Sequence, residues 1–344
     1  MSAVPYKMKH INIPVFVPHM GCPNKCVFCD QHAISGVRLF KREDAVRTIE
    51  EHLATVPDDA DVEIAFFGGS FTGIDRDLMI SLLDAAQGYV GDGRVGGIRM
   101  STRPDYIDGE IVKILKGYTI RAVELGVQSM NDKVLTASGR GHTADDTRRA
   151  FYLLGEAGLP SVGQMMVGLP LSTREDEIKT AEAICSLGAK GSRIYPTVVF
   201  ENTSLAAMTG AGEYTPLTVE EAVARSADAL SVFASHGVPC LRVSLYGGDV
   251  PGDGNAVAGP LHPALGELVL GEYYRRLIEG KLDALLAEKS VSSVAVCVPR
   301  GDLSAAIGHR GVNREYFSTR YGDLKTVFLE KDGIIRYNIL LEVI

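Results

Sequence analysis

The segment HMGCPNKCVFCDQH, residues 19–32, contains three closely spaced cysteines, Cys22, Cys26 and Cys29. Their spacing, C-x3-C-x2-C, places three thiolates on one short loop. Such a loop can bind three irons of a cubane iron–sulfur cluster and leave the fourth iron without a protein ligand. An open coordination position on iron is a place for chemistry. The segment therefore predicts a catalytic cluster.

Two other roles are compatible with these cysteines. A structural zinc site needs four closed ligands, and His19 or His32 could supply the fourth. A disulfide with one spare thiol is the second alternative. No basic segment followed by an apolar one precedes Pro5, so we expect no secretory signal and a cytoplasmic location, where thiols stay reduced. That expectation disfavours the disulfide.

Composition limits the classes of function. The chain has 344 residues and is 46% hydrophobic, which suits one α/β barrel with a small appendage. No apolar run reaches the roughly 18 residues that span a bilayer, so we expect a soluble protein with no membrane partner. The net charge of -8 argues against a broad nucleic-acid-binding surface, and we expect no DNA partner. A local basic patch stays compatible with this charge.

The hydrophobic pattern predicts the fold. Short apolar or β-branched runs alternate with longer amphipathic stretches, which indicates parallel strands joined by crossover helices. The expected fold is α/β, a partial (β/α)6 TIM-like barrel over residues 1–235. The predicted strands are 11–17, 62–67, 98–102, 122–127, 162–167 and 192–199. The predicted helices are 41–55, 75–87, 108–116, 143–157, 174–187 and 218–235.

The rest of the chain predicts two smaller units. Residues 236–290 form a turn-rich extension whose helix, 263–288, should pack on the barrel. Residues 291–344 predict a small α+β unit, with strands at 293–298, 326–329 and 334–343 and helices at 303–307 and 313–321.

Several polar and glycine-rich segments follow the predicted strands, at the rim where barrel active sites lie. Gly68 and Gly69 lack a Cβ and let the backbone approach a ligand closely. Arg140 offers a planar fork suited to a carboxylate, although a solvated surface charge is the alternative. Glu124 either points into the barrel toward a ligand or is neutralised by Arg103.

The triplet, with Phe28 before its last cysteine, resembles the cluster loop of the radical S-adenosylmethionine (SAM) enzymes. The resemblance implies a 4Fe-4S cluster, an external electron donor, and SAM chelating the open iron before its cleavage to a 5'-deoxyadenosyl radical. The segment from Gln128 to Arg140 resembles oxygen-independent coproporphyrinogen oxidase, which implies contacts to the ribose and carboxylate of SAM. The two resemblances together imply that Gly68, Gly69, Gln128 and Arg140 bind SAM. Arg103 and Gln164 are weaker candidates for the same role.

Further segments resemble the radical SAM half of the Elongator catalytic subunit across residues 10–275. They are residues 101–106, 124–129, 139–142, 194–205 and 212–216. The resemblance implies modification of the wobble uridine of transfer RNA, with acetyl-coenzyme A. Since the chain ends at Ile344, we expect it to lack the acetyltransferase half, and the substrate stays open. The alternatives are a small-molecule reaction like that of coproporphyrinogen oxidase, or a non-catalytic RNA-binding zinc protein.

A glycine loop joins the two helices predicted after residue 300. Its four residues, Gly308, His309, Arg310 and Gly311, resemble the loop of a KH module, which clamps a single-stranded backbone. The resemblance implies RNA binding. The other interpretation is a tight helix–helix corner that needs glycine for steric reasons.

Overall fold

The computed structural model describes residues 10–17, 26–29, 40–91, 93–244 and 255–344. Its largest sheet has seven strands, all parallel, in the order β1-β2-β3-β4-β5-β6-β8. The strands are β1 (His10–Val17), β2 (Asp61–Gly68), β3 (Val95–Thr102), β4 (Ile120–Gln128), β5 (Ser161–Val167), β6 (Gly191–Pro196) and β8 (Cys240–Val243). The α/β partial barrel predicted from the sequence is confirmed.

The strand count differs from the prediction. The sequence predicted six strands, and the seventh, β8, pairs with β6 from a position beyond residue 235. It has only four residues, too few to show a pattern. The predicted strand 192–199 is also too long. It ends at Pro196, and Val199–Phe200 forms a separate strand, β7, that pairs with β9 (Ala256–Ala258).

Helices cover one face of the parallel sheet. They are α1 (Arg42–Leu53), α2 (Arg76–Val90), α3 (Gly109–Leu115), α4 (Asp132–Ala137), α5 (Ala144–Glu156), α6 (Arg174–Ser186), α7 (Ser204–Gly210), α8 (Val219–Ser235) and α9 (Leu265–Glu288). Threonines at 143, 173 and 218 begin three of them with a capping box, which fixes where each crossover helix starts. The expected crossover helices are therefore present.

The two faces of the sheet differ in polarity. Alternate residues such as Ile13, Val15 and Ile64 are fully buried in the apolar core against the helices. The opposite face, here called the inner face, carries Phe16, Glu63, Phe67, Arg99, Glu124 and Arg193. Barrel interiors are ordinarily packed with apolar side chains. A charged and partly accessible interior indicates a chamber rather than a core.

The carboxyl-terminal unit is a three-stranded sheet with two helices. Strand β10 (Ser293–Val298) lies between β11 (Lys325–Glu330), which is parallel to it, and β12 (Leu340–Val343), which is antiparallel. The helices are α10 (Leu303–Ile307) and α11 (Val312–Tyr321). The buried Tyr274 hydroxyl of α9 donates to Asp302 Oδ2 at 2.6 Å and ties this unit to the barrel's last helix.

One predicted strand of this unit is wrong in its length. Residues 334–343 were expected to be extended throughout, but only Leu340–Val343 pairs. Gly333 and Tyr337 have positive φ angles of 83° and 67°, and Ile335 is exposed, so a turn replaces the first part. Across the described ranges, no helix combines the length and the apolar character needed to cross a bilayer.

Candidate active site

Two cysteines of the triplet lie on one clamped turn. Cys29 N–H donates to Cys26 O at 3.0 Å, and the Val27 backbone bonds to Ser138 O on one side and to the N–H of Leu205 on the other, at 3.1 and 2.8 Å. Cys26 is buried. The turn is thereby fixed between the ends of α4 and α7. Cys22, and the candidate zinc ligands His19 and His32, lie outside the described residues.

Arg140 is part of this site and is not a solvated surface charge. It is only 7% exposed. Its Nη1 lies 3.5 Å from Cys26 Sγ, and its Nη2 donates to Gly126 O at 2.8 Å. Its Nε has no hydrogen-bond partner in the described part of the chain. The guanidinium is thus fixed beside a cysteine sulfur with one donor left over.

Gln128 ends β4 in an unusual backbone conformation. Its φ is 63°, and Ser129 N–H donates to Val127 O at 2.8 Å across it, which forms a tight three-residue turn. The strand register also shifts between Gly126 and Gln128. Bulges and strained residues of this kind aim side chains at functional sites. The Gln128 side chain is buried, and its Oε1 has no partner among the described residues.

The side chains of Arg140 and Gln128 both lie against Gly126. A Cβ built on it would lie 3.1 Å from both Arg140 Nη2 and Gln128 Nε2. That distance is tighter than ordinary van der Waals contact. A side chain at this position would therefore push apart the two predicted SAM-binding residues.

His142 is a site residue to which the sequence analysis assigned no role. It is 3% exposed, and its Nε2 lies 3.2 Å from Val127 O, the carbonyl of the Gln128 turn. Burial, helped by the nearby charges of Arg140 and Arg103, lowers the pKa of His142 to about 4. The ring is therefore neutral near pH 7, and Nε2 donates because a carbonyl can only accept. In the sequence, only its position two residues after Arg140 could have indicated a role at this site.

The glycine pair follows β2 at the same rim. Gly68 has a φ of 107°, and a Cβ on it would lie 2.6 Å from Val17 O, so only glycine fits beside the strand that leads into the cysteine segment. Both Gly68 and Gly69 are partly accessible. Gly68 thus has a steric reason within the fold, and the role of the glycine pair in binding SAM stays a prediction.

Arg103 lies at the rim but does not neutralise Glu124. Its Nε and Nη2 donate to the two carboxylate oxygens of Asp105 at 2.9 and 2.8 Å, and its guanidinium lies 5.6 Å from the centre of the Tyr106 ring. Asp105 follows two residues later in the chain, so local geometry favours this bidentate pair.

Glu124 is instead the centre of an ion network on the inner face. Its Oε1 accepts from Arg99 Nη1 at 2.9 Å and from Arg193 Nη2 at 2.8 Å. Arg99 also donates to Glu63 at 2.7 Å. Neutralisation by Arg103, one of the two alternatives, is therefore wrong. Arg99 comes from the adjacent strand β3 and Arg193 from β6, two strands away, and strand register and the curl of the sheet decide which side chains meet. Gln164 lies next to Arg193 in this register, partly accessible.

The end of β5 carries the predicted Gly168–Leu169–Pro170 segment and borders a cavity of about 440 Å³. Tyr214 donates its hydroxyl proton to Gly168 O at 2.6 Å, and Glu177 accepts from Gly168 N–H at 2.7 Å. Arg225 donates to both oxygens of Glu177. The carbonyl and the N–H of Gly168 are therefore both hydrogen-bonded, which holds the loop in place.

The glycine loop after α10 has a steric reason for its first glycine. A Cβ on Gly308 would lie within 3 Å of Asn313, whose buried amide donates to Gly271 O and Ala306 O. Gly311 has a φ of 81° and open space around it. Arg310 is exposed, with a φ of 55°. The tight corner is present, and its exposed tip leaves room for a ligand.

These groups fit the cofactors that the sequence resemblance implies. Buried polar atoms are normally bonded, so an unpartnered acceptor on Gln128 and an unpartnered donor on Arg140 leave hydrogen-bonding capacity for a ligand beside Cys26. A carboxylate suits the guanidinium, and a hydroxyl suits the amide oxygen. Within the described residues, no three His, Cys, Asp or Glu side chains form a metal-binding group. The third member of the cysteine set, Cys22, lies outside them.

Family models match most of the chain. The family model described as the radical SAM superfamily matches residues 16–184, and the radical SAM C-terminal domain matches residues 189–275. The tRNA uridine(34) acetyltransferase of Methanocaldococcus jannaschii is 33% identical over 229 residues, 60% of this chain and 41% of that protein. An uncharacterized protein of the same organism is 28% identical, over 65% of this chain and 72% of its own length.

Solved structures share the fold. Elp3 of Methanocaldococcus infernus, with an N-terminal deletion, superposes with a TM-score of 0.60 at 24% identity, covering 80% of this chain and 64% of that one. Streptococcus suis SuiB gives a TM-score of 0.52 at 13% identity, over 70% of this chain and 50% of that one. The present chain spans less than half of the acetyltransferase relative from M. jannaschii.

Proposed function

Because the chain belongs to the radical SAM superfamily, we propose that it modifies a uridine of transfer RNA, with a cluster bound by Cys22, Cys26 and Cys29. The protein is an enzyme of this class, and its cofactors are a 4Fe-4S cluster and SAM. When bound, the cluster supplies the electron that cleaves SAM. An external donor would deliver that electron.

The chain's own residues supply binding, orientation and charge. Arg140 would hold the SAM carboxylate with the guanidinium donor that is still unpartnered, while its Gly126 contact fixes its position. Gln128 Oε1 would accept from a ribose hydroxyl. The backbone of Gly68 and Gly69 would bond to the amino group. Arg103 and Gln164 stay weaker candidates for the same ligand.

One observation carries this assignment. The Arg140 guanidinium contacts Cys26 Sγ at 3.5 Å, although the two residues are 114 positions apart in sequence. A cation held at a cysteine sulfur, between unpartnered polar atoms, supports a site in which a metal-bound thiolate and an anionic ligand lie side by side. A closed structural zinc site binds no further ligand, so it would not explain the unpartnered Gln128 Oε1 and Arg140 Nε.

The substrate proposal is supported by the relatives. Proteins described as tRNA uridine(34) acetyltransferases are similar to this chain over about half to three-fifths of its length. The glycine loop, residues 308–311, has an exposed tip where RNA would bind in addition to the active site. The chain spans about a third to a half of these relatives, so the acetyl transfer step belongs to them and is not assigned to this chain.

The test is an anaerobic reaction of the reconstituted enzyme with dithionite, SAM and bulk transfer RNA, run with and without acetyl-coenzyme A. We expect transfer RNA to stimulate 5'-deoxyadenosine formation and a uridine nucleoside to change mass in the digested RNA. Cleavage of SAM that is indifferent to RNA, with every nucleoside unchanged, would contradict the transfer RNA assignment.

The glycine loop has its own test. Gly311 and Gly333 are both exposed or partly exposed glycines with φ near 80° and no neighbouring atom within 4 Å of a built Cβ. Gly311→Asp adds a negative charge at the loop, and Gly333→Asp adds the same charge elsewhere in the unit. We expect only the first to weaken transfer RNA binding in a gel-shift titration. Equal affinities would remove the loop from the RNA-binding surface.

A further inference from the structure

The inner face of the sheet carries an aromatic and guanidinium surface that the SAM site does not use. Phe16 is 44% exposed, and its ring centre lies 6.5 Å from that of Phe67. The Arg193 guanidinium lies 6.0 Å from the centre of the Phe67 ring. These three side chains come from β1, β2 and β6. The curl of the sheet therefore brings together planar groups from distant parts of the sequence.

The ion network behind this surface is balanced. Glu63, Arg99, Glu124 and Arg193 alternate in sign and contact one another at 2.7 to 2.9 Å. Arg242, on the edge strand, donates its Nε proton to Ser244 O at 3.0 Å. Since the central arginines are already neutralised, this face is poorly suited to a ligand with several carboxylates. It suits a planar group that is itself uncharged.

Arg193 still has hydrogen-bonding capacity for such a group. Its Nη2 donates to Glu124 and its Nη1 to the Tyr195 hydroxyl at 3.3 Å. Its Nε is buried and has no partner in the described ranges. A carbonyl oxygen at the edge of a base is a natural acceptor for an arginine N–H. Unstacked RNA bases bind proteins by this combination of aromatic stacking and edge hydrogen bonds.

We propose that the inner face binds the target nucleobase of the RNA, stacked at Phe16 and Phe67, with a base carbonyl directed to Arg193. This inference rests on the proposed RNA substrate and names the place where the base enters the barrel. Phe16 and Phe67 each lie one residue before the carboxyl end of their strand, at the rim where Gln128 ends β4. A base held here is therefore presented to the SAM site from inside the barrel.

The experiment measures binding of a fluorescein-labelled nine-residue oligouridylate to the anaerobically reconstituted enzyme with SAM, by fluorescence anisotropy. Phe16→Leu and Phe67→Leu each remove one aromatic ring and keep an apolar side chain. We expect each to weaken binding about tenfold, the order expected for one lost base stack. Tyr152→Leu is the matched control, because Tyr152 is an aromatic residue 65% exposed on α5, outside this face. Its affinity should equal that of the wild type.

A second readout fixes the position of the base. An oligonucleotide with a single 4-thiouridine should crosslink to peptides containing Phe16 or Phe67 on irradiation. Crosslinks confined to residues 308–311, with both leucine variants binding as the wild type does, would overturn this inference and leave RNA modification standing. Absence of oligouridylate and transfer RNA binding by the wild type would contradict both proposals. Circular dichroism and iron content of each variant identify any loss caused by misfolding.

Discussion

Acidification should destabilise this protein through one buried imidazole. His142 has a pKa of about 4 in the fold because burial disfavours its charged form, while the ordinary value is 6.5. The unfolded chain therefore takes up a proton as the pH falls through 6.5, and the folded chain does not until the pH approaches 4. The free energy of unfolding consequently falls across this window and is unaffected above it.

The size of the effect follows from the two pKa values. Each unit of difference corresponds to about 1.4 kcal/mol, so the full loss is roughly 3 kcal/mol, of which about 2 kcal/mol is reached by pH 5. His142→Gln removes the titrating group while keeping an amide N–H that can donate toward Val127 O. The difference in unfolding free energy between wild type and variant should therefore shrink by about 2 kcal/mol from pH 7.5 to pH 5.

The assay is urea unfolding of the cluster-free protein under reducing conditions, followed by circular dichroism at several pH values. His236→Gln is the control, because it also replaces a histidine by glutamine, at an exposed position at the end of α8. Carboxylates titrate equally in all three proteins and cancel in the comparison. Parallel curves for wild type and His142→Gln would refute the claim that the imidazole is held neutral.

Three further substitutions test other parts of the fold by urea unfolding. Gly68→Ala should lower the free energy of unfolding by roughly 2 kcal/mol, because Gly68 has a positive φ and the new Cβ would lie 2.6 Å from a backbone oxygen. Gly91→Ala, where the space around the glycine is open, should leave the free energy of unfolding almost unchanged. Glu124→Gln should cost roughly 3 kcal/mol, since it leaves two buried guanidinium groups without their shared carboxylate; an unchanged midpoint would contradict the network. Tyr274→Phe should cost roughly 1–2 kcal/mol by removing the donor to Asp302, and a silent change would show that this bond does not tie the two units together.

The sequence predicted those parts of the fold that depend on local patterns. Strands β1 to β6 and their crossover helices follow from short apolar or β-branched runs that alternate with longer amphipathic stretches. Strand β8 was missed because four residues cannot show a period and its pairing depends on the tertiary position of β6. The strand expected over 334–343 was too long, because positive φ angles at Gly333 and Tyr337 cannot be read from apolar content alone.

At the candidate site, too, the sequence predicted the local features and missed those that depend on tertiary structure. Arg140 was identified by its chemistry and its place after β4, but its contact with Cys26 depends on how the cysteine turn docks between two helices. The partners of Glu124 depend on strand register, which shifts between Ile98 and Arg99. His142 was passed over because its burial appears only once the chain folds back over the end of β4. Long-range register and docking are not encoded in any short segment.

The most direct test of the central claim compares wild type with Cys26→Ala after anaerobic reconstitution. Iron content and 5'-deoxyadenosine are measured after dithionite and SAM are added. We expect the wild type to bind four irons per chain and to cleave SAM, and the variant to lose both the cluster and the cleavage. Zinc in the wild type with no 5'-deoxyadenosine, or unchanged iron and cleavage in the variant, would contradict the assignment of this cysteine turn to a radical SAM cluster.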